Sequence, residues 1–206
     1  MEQGLGMEPT QGQGSNDERV WLEAALRGDR EAFGALVSRY AERIYNVAYR
    51  LVGEEADAHD LAQDTFVSAF KALTTFRADA RFSTWVYRIA VNKCKDWLRT
   101  RGRFEQPRED SEDGAYHEGL ISTATPERIL SQKEVGGRLM EAIQRVPPLY
   151  REAFVLKHVE GVGYEEMSEM LGVHRDTLKM RVYKARVQLC RELGALREQE
   201  RGRQGG

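Results

Sequence analysis

Cysteine is nearly absent from this chain. Cys94 and Cys190 are the only two in 206 residues, far apart and in no CxxC spacing. That excludes a disulfide framework and a cysteine-based zinc site, and it fits a reducing, cytoplasmic setting. Both cysteines read as small core or near-core residues. Long apolar runs are missing too. None nears the roughly 18 residues of a membrane span, so no membrane insertion is expected. The Gly- and Gln-rich start, residues 1–16, has no apolar h-region and reads as a disordered tail, not a signal peptide. A large charge of one sign is also lacking. The net charge is −2, whereas a protein that only sheathed nucleic acid would be basic throughout.

The near-neutral total hides segregation. Cations gather in residues 88–103 and 175–191, acids in 54–64 and 105–118. Hydrophobic residues are 41 % and charged residues 31 %, which suits a charge-rich, helical protein. The sequence organises itself around residues 82–99. Val86, Ile89, Ala90 and Trp97 make one helical stripe, and Arg88, Asn92, Lys95 and Arg99 make another on nearly the opposite side, with Trp85 at its edge. The first stripe suits a core. The second offers cations for phosphates, an amide for a base edge and a ring for stacking, although a solvated basic face would look the same.

Periodicity predicts a first helix over 17–26, then a long helix from Arg30 to about Gly53 carrying Phe33, Leu36, Val37, Tyr40, Ile44, Val47, Ala48 and Leu51. In the next helix Leu61, Thr65, Phe66, Ala69 and Phe70 are expected inside. Asp57, Asp60 and Asp64 share another face with Gln63 beside them. Such a face could be a docking surface for a basic partner or merely solvated. A metal site is not expected, because no second ligand cluster exists. The polar segment 76–81 precedes the central helix and, flanked by Phe76 and Phe82, could form a pocket beside the basic stripe. Residues 104–125 are rich in Glu, Asp, Ser, Gly and Pro and read as a flexible acidic linker. The expected organisation is therefore a tail (1–16), a domain (17–103), the linker (104–125), a second domain (126–195) and a second tail (196–206).

In the second domain, helices are expected over 129–146, with Leu139, Met140, Ile143 and Val146 inward, and over 150–159. A short helix, 164–171, is followed by the turn Gly172-Val173-His174 and a basic helix, 175–193. A helix, a Gly-containing tight turn and a basic helix form the helix-turn-helix pattern. Leu178, Val182, Ala185 and Leu189 should face inward. The outer face shows Asp176, Lys179, Met180, Tyr183 and Lys184, with Arg175, Arg181 and Arg186 suited to phosphate contacts. Glu165, Glu166 and Glu169 should face away from DNA.

In this order the motifs Asp60-Leu61-Ala62-Gln63-Asp64-Thr65-Phe66, Phe76-Arg77-Ala78-Asp79, Phe82 to Asn92, Tyr164-Glu165-Glu166-Met167 and Thr177 to Arg181 resemble bacterial sigma factors of the extracytoplasmic function class (group IV), close to the sigma-E type. The resemblance spans about residues 17–193. It implies an all-α, non-enzymatic protein of two helical domains, with no cofactor and no small-molecule substrate. It implies that Asp57, Asp60, Gln63 and Asp64 dock on the clamp helices of the largest RNA polymerase subunit. Phe76, Arg77, Asp79, Trp85, Arg88, Asn92, Lys95 and Arg99 would take the melted −10 strand. Arg175, Asp176, Lys179, Met180, Arg181, Tyr183, Lys184 and Arg186 would read the −35 duplex. Further partners implied are the polymerase flap region and an anti-sigma factor. A free-standing helix-turn-helix repressor or activator is the alternative. Asp64, Met180 and His174 stand where the family often has Glu, Ser and Pro, so the −35 preference does not carry over from relatives.

Overall fold

The computed structural model describes residues 11–76, 81–104 and 133–204. Eight α-helices, and no strand, occur among them. They are α1 (Gln11–Leu26), α2 (Arg30–Val52), α3 (Glu55–Ala72), α4 (Phe82–Thr100), α5 (Lys133–Arg145), α6 (Pro148–Phe154), α7 (Tyr164–Leu171) and α8 (Arg175–Gln204). A 3-10 turn, Leu73–Thr75, follows α3, and π-type bonding over Val155–Val159 prolongs α6.

Local chemistry fixes the ends. Asp29 caps α2 by accepting from Glu31 N at 2.9 Å and Ala32 N at 3.1 Å. The helix stops at Gly53, whose φ of 84° suits a residue without Cβ. Gly53 matters twice, because a Cβ there would lie 2.7 Å from the Gln144 side chain. Gly172, with φ 66°, ends α7 in the same left-handed way and starts the tight turn into α8.

Helices α2, α3 and α4 pack around Leu36, Ile44, Val47, Ala58, Thr65, Phe82, Val86 and Val91, with α1 laid on α2. Tyr40 Oη donates to Glu18 at 2.7 Å and helps hold α1 there. In the second unit Leu139, Ala142, Ile143, Val146, Phe154, Ala185 and Leu189 form a small core. Its remaining buried residues, among them Ala153, Leu156, Met167, Met170, Leu178 and Val182, join the core of the first unit. The two units therefore share one apolar interior.

Arg151 fastens that junction. It is 6 % exposed and donates to four acceptors: Leu51 O (2.6 Å) at the end of α2, Gln144 Oε1 (2.6 Å), Gln144 O and Val146 O (2.9 Å). Gln144 Nε2 adds a bond to Arg50 O at 2.8 Å. Desolvation pulls the Arg151 pKa down to about 10, which leaves the guanidinium charged at neutral pH.

Several expectations need correction. Helix α1 begins at Gln11, inside the stretch read as a disordered tail; no apolar stripe marks residues 11–16, but a formed helix propagates cheaply. Helix α8 runs to Gln204, past the expected end, because good helix formers continue after the apolar pattern stops. Phe70, expected inside, is 45 % exposed at the rim of α3, edge-on to Phe33 at 5.1 Å. Cys94 is buried, but Cys190 is exposed, since it follows the inward Leu189 by one residue and turns away. The linker beyond Phe104 and the start of the helix predicted over 129–146 lie outside the described residues.

Replacing Arg151 by Met is expected to destabilise the chain by about 3 kcal/mol in urea unfolding, because it strands buried carbonyls. Arg151→Lys should recover only part of this, as an ammonium lacks the planar fork.

Candidate nucleic-acid interface

Helix α4 carries the site. At its start, an aromatic nest holds Trp85: Phe76 lies 5.3 Å away and Phe82 5.7 Å away by ring centroids. Phe76 is 7 % exposed and Phe82 1 %. Phe76 therefore braces Trp85 and does not present its own ring. Trp85 is half-buried, and Arg88 and Asn92 are exposed one and two turns on. Arg99 is exposed, pairs with Asp96 at 2.9 Å and lies over the Phe104 ring at 5.0 Å. Lys95 differs from its neighbours on the stripe: its Nζ lies 2.8 Å from Glu152 Oε1 of α6. Arg77 and Asp79 lie outside the described residues.

On α3 the acidic residues divide. Asp60, Gln63 and Asp64 are exposed. Gln63 borders an apolar hollow lined by Phe33, Val37, Phe66, Val67 and Phe70, with Lys71 at its edge. Asp57 is committed elsewhere. It accepts from Trp97 Nε1 and from Arg101, each at 3.2 Å, and Arg101 sits over the Trp97 ring at 4.3 Å. Trp97, expected in the apolar stripe, thus works at the rim and ties α4 to α3. No group of three or more metal-ligating residues occurs among the described residues.

The α8 wheel falls as expected on its inner side: Leu178, Val182, Ala185 and Leu189 are all buried. Outside, Arg175 pairs with Glu165 at 2.6 Å, and Lys179 with Asp176 at 3.1 Å. These exposed pairs can rearrange at small cost. Met180, Tyr183 and Arg186 are half-buried. Lys184 leans over the Tyr150 ring at 5.6 Å, and with Tyr183 and Tyr150 it lines a hollow reaching Gln188 and Arg191. Arg181, expected at a phosphate-contacting flank, is half-buried and its charge acts on Glu152.

The second unit also supplies groups that the sequence reading missed. Glu166, expected to point away from DNA, accepts from Thr84 Oγ1 of α4. Glu160 accepts from Tyr87 Oη at 2.6 Å. Burial and this carboxylate push the Tyr87 phenol well above its usual range. Glu152 is 2 % exposed, and burial raises its carboxyl pKa against the pull of Lys95, Arg181 and Arg99. One signal was present: Arg151-Glu152 is a charged pair inside a run of otherwise apolar residues.

Residues 36–104 match the family model for sigma-70 region 2, and residues 136–189 match that for sigma-70 region 4. The chain belongs to the extracytoplasmic function class of sigma-70 factors. It is 35 % identical over 180 residues to the RNA polymerase sigma-H factor of Pseudomonas aeruginosa, covering 85 % of this chain and 93 % of that one. It is 31 % identical over 175 residues to the ECF RNA polymerase sigma-E factor of Escherichia coli K12, covering 82 % and 90 %. Among solved structures, CnrH in complex with the cytosolic domain of CnrY is similar, with a TM-score of 0.65 and 27 % identity over 87 % of this chain and 98 % of that one. Helices α2 to α4 thus fall in sigma region 2, and the α7–α8 helix-turn-helix in region 4.

The split among the acids is testable by stability. Asp57→Ala should cost about 1 kcal/mol in chemical unfolding through its lost bonds to Trp97 and Arg101, whereas Asp60→Ala and Asp64→Ala should change stability by under about 0.5 kcal/mol.

Proposed function

We propose that this sigma factor binds core RNA polymerase, reads the −35 duplex with α8 and captures the melted −10 strand on α4. The observation that carries this reading is the presence, on one chain and in order, of both sigma-70 regions. Asp60, Gln63 and Asp64, with the apolar hollow beside them, dock on the clamp helices of the largest polymerase subunit. Asp57 acts behind them by fixing α3 against α4. Region 4 meets the flap region.

On α8, Lys179, Met180, Tyr183 and Lys184 are the base readers, with Arg175, Asp176 and Arg186 at their margins. A lysine donates to guanine acceptors, and Met180 suits a thymine methyl. On α4, Trp85 offers a stacking face, while Arg88, Asn92, Lys95 and Arg99 follow the strand. Arg77 and Asp79 belong to the segment that receives a flipped base. Unstacking costs a few kcal/mol per base, and stacking on an aromatic side chain returns about 1–3 kcal/mol, so capture offsets melting. The protein performs no covalent step; the polymerase does. It works in the cytoplasm, where polymerase is. An anti-sigma protein masks it, a reading supported by the likeness to CnrH, whose structure holds the cytosolic domain of CnrY.

Run-off transcription with bacterial core polymerase on a library of promoter fragments tests this. Initiation should require the chain, and the Asp60→Ala/Asp64→Ala double variant should lower it at least about tenfold, the effect of losing some 1.4 kcal/mol of docking. Tight duplex binding by the chain alone, with polymerase adding nothing, would instead mean a free-standing helix-turn-helix regulator. Lys179→Ala should weaken binding of the holoenzyme to the −35 duplex by about 1–3 kcal/mol.

A further inference from the structure

One hollow lies wholly within region 4. It is lined by Tyr150, at the start of α6, and by Tyr183, Lys184, Val187, Gln188 and Arg191 of α8. Met180, Lys184, Val187 and Arg191 recur at i, i+4, i+7 and i+11, so they share the face of α8 opposite the buried Leu178, Val182, Ala185 and Leu189. The hollow therefore continues the face assigned to the −35 duplex. Its chemistry is one-sided. Among the described residues its polar lining is two phenols, an amide, an ammonium and a guanidinium, with no carboxylate. Other cations of region 4 are matched to acids: Arg175 to Glu165, Lys179 to Asp176, and Arg145 to Glu141 and Glu192. Lys184 and Arg191 have no ion-pair partner among the described residues. Glu192, next to Arg191 in sequence, is drawn off by Arg145 at 3.2 Å, and Gln188 is held by donating to Arg145 O at 3.1 Å. Lys184 rests instead over the Tyr150 ring at 5.6 Å, a contact that fixes the ammonium and leaves its charge uncancelled.

We propose that this hollow seats a phosphate of the DNA backbone bordering the −35 groove, bound by Lys184 and Arg191, with Tyr150 as the positioning residue that aims Lys184. This rests on the reading of α8 as the duplex reader. The lengths agree. Gln188 and Arg191 lie about 12 Å and about 16 Å along α8 from Met180. The major groove is about 12 Å wide. With Met180 at the base edges, the hollow meets the wall of phosphates, and Lys184 stands between the two. Two cations lining one hollow suit a phosphodiester, which presents two anionic oxygens. Such a contact fixes the register of α8 on the duplex and is blind to base sequence.

The test uses holoenzyme, the full chain with bacterial core polymerase, on a promoter fragment found active in run-off transcription. Affinity is measured across a salt series. Arg191→Ala should weaken binding about three- to tenfold, equally on the fragment and on copies with single −35 base changes, and should lower the slope of log affinity against log salt by about 1. Lys179→Ala should instead weaken binding by an amount that depends on the −35 bases. Neutral methylphosphonates, placed one at a time along the −35 backbone, locate the phosphate. At one position the unaltered chain should lose affinity while Arg191→Ala loses none further. Equal losses in both chains at every position would overturn the proposal. So would an unchanged affinity and slope for Arg191→Ala while Lys179→Ala weakens binding, a result that leaves α8 as the duplex reader. No effect of either variant would refute that reading and the proposal with it. Weaker assembly of Arg191→Ala with core polymerase, at unchanged DNA affinity, would give the hollow to an acidic polymerase segment and overturn the phosphate seat.

Tyr150 is tested through Lys184. Tyr150→Ala should cost about as much affinity as Lys184→Ala, and the double variant should be little worse than either. Tyr150→Phe keeps the ring and should restore both affinity and salt slope. A loss in Tyr150→Ala that Tyr150→Phe does not recover, or that adds fully to the loss in Lys184→Ala, would overturn the positioning role. Arg191 is exposed, so Arg191→Ala keeps the seat testable if Tyr150→Ala misfolds.

Discussion

The buried guanidinium of Arg151 is the constraint on which the arrangement turns. A cation in an apolar interior must be fully bonded or it opposes folding. Here the acceptors come from both units: Leu51 O at the end of α2, and Gln144 and Val146 on and just beyond α5. Those carbonyls sit at helix C-termini, where the backbone is short of donors and a positive charge is favoured. Gly53 leaves room for Gln144 to come close. Once Arg151 is seated, α6 must lie against α2, and the apolar residues after it, Val155 and Leu156, enter the same interior as Ile44 and Val86.

That seating decides the state of α4. A helix with two useful faces is given three neighbours: α2 and α3 on its core side, and α7 with the end of α6 on its flank. Lys95 lies on that flank, while Arg88, Asn92 and Arg99 stay exposed beside it. Region 4 therefore does two things in one chain. It bears the helix-turn-helix, and it supplies the acids opposite Lys95, Tyr87 and Thr84.

Much of this was legible in the sequence, and the limits were physical. The inner face of α8 was read residue by residue, because Leu178, Val182, Ala185 and Leu189 lie on one face of the helix and are all buried, and periodicity reads a single buried face well. Helix α4 was read less well. Val86 and Ala90 are buried as expected, but Ile89 and Trp97 are only half-buried, and Tyr87, Val91, Cys94 and Leu98 are buried besides. A helix packed on two sides has a wider buried arc than one stripe. The exposure of Arg88, Asn92, Asp60 and Asp64 matched their place on polar faces, whereas Asp57 and Lys95 were taken by partners 40 or more residues away. Nothing local announces such a partner. Phe76 shows the same limit: its position before α4 was plain, but its burial under Trp85 depends on Phe82 and the core.

The most direct measurement of the account is the distance between α4 and α7 in the free chain and in the polymerase-bound chain. Labels at Asp96→Cys and Glu169→Cys, both exposed positions, report it in a Cys190→Ser background, with Cys94 buried and inert. The account predicts one short distance in the free chain and a much longer one once core polymerase and promoter DNA are bound. The same short distance in both states would contradict it, because regions 2 and 4 would then stay packed together while one held the −10 strand and the other the −35 duplex.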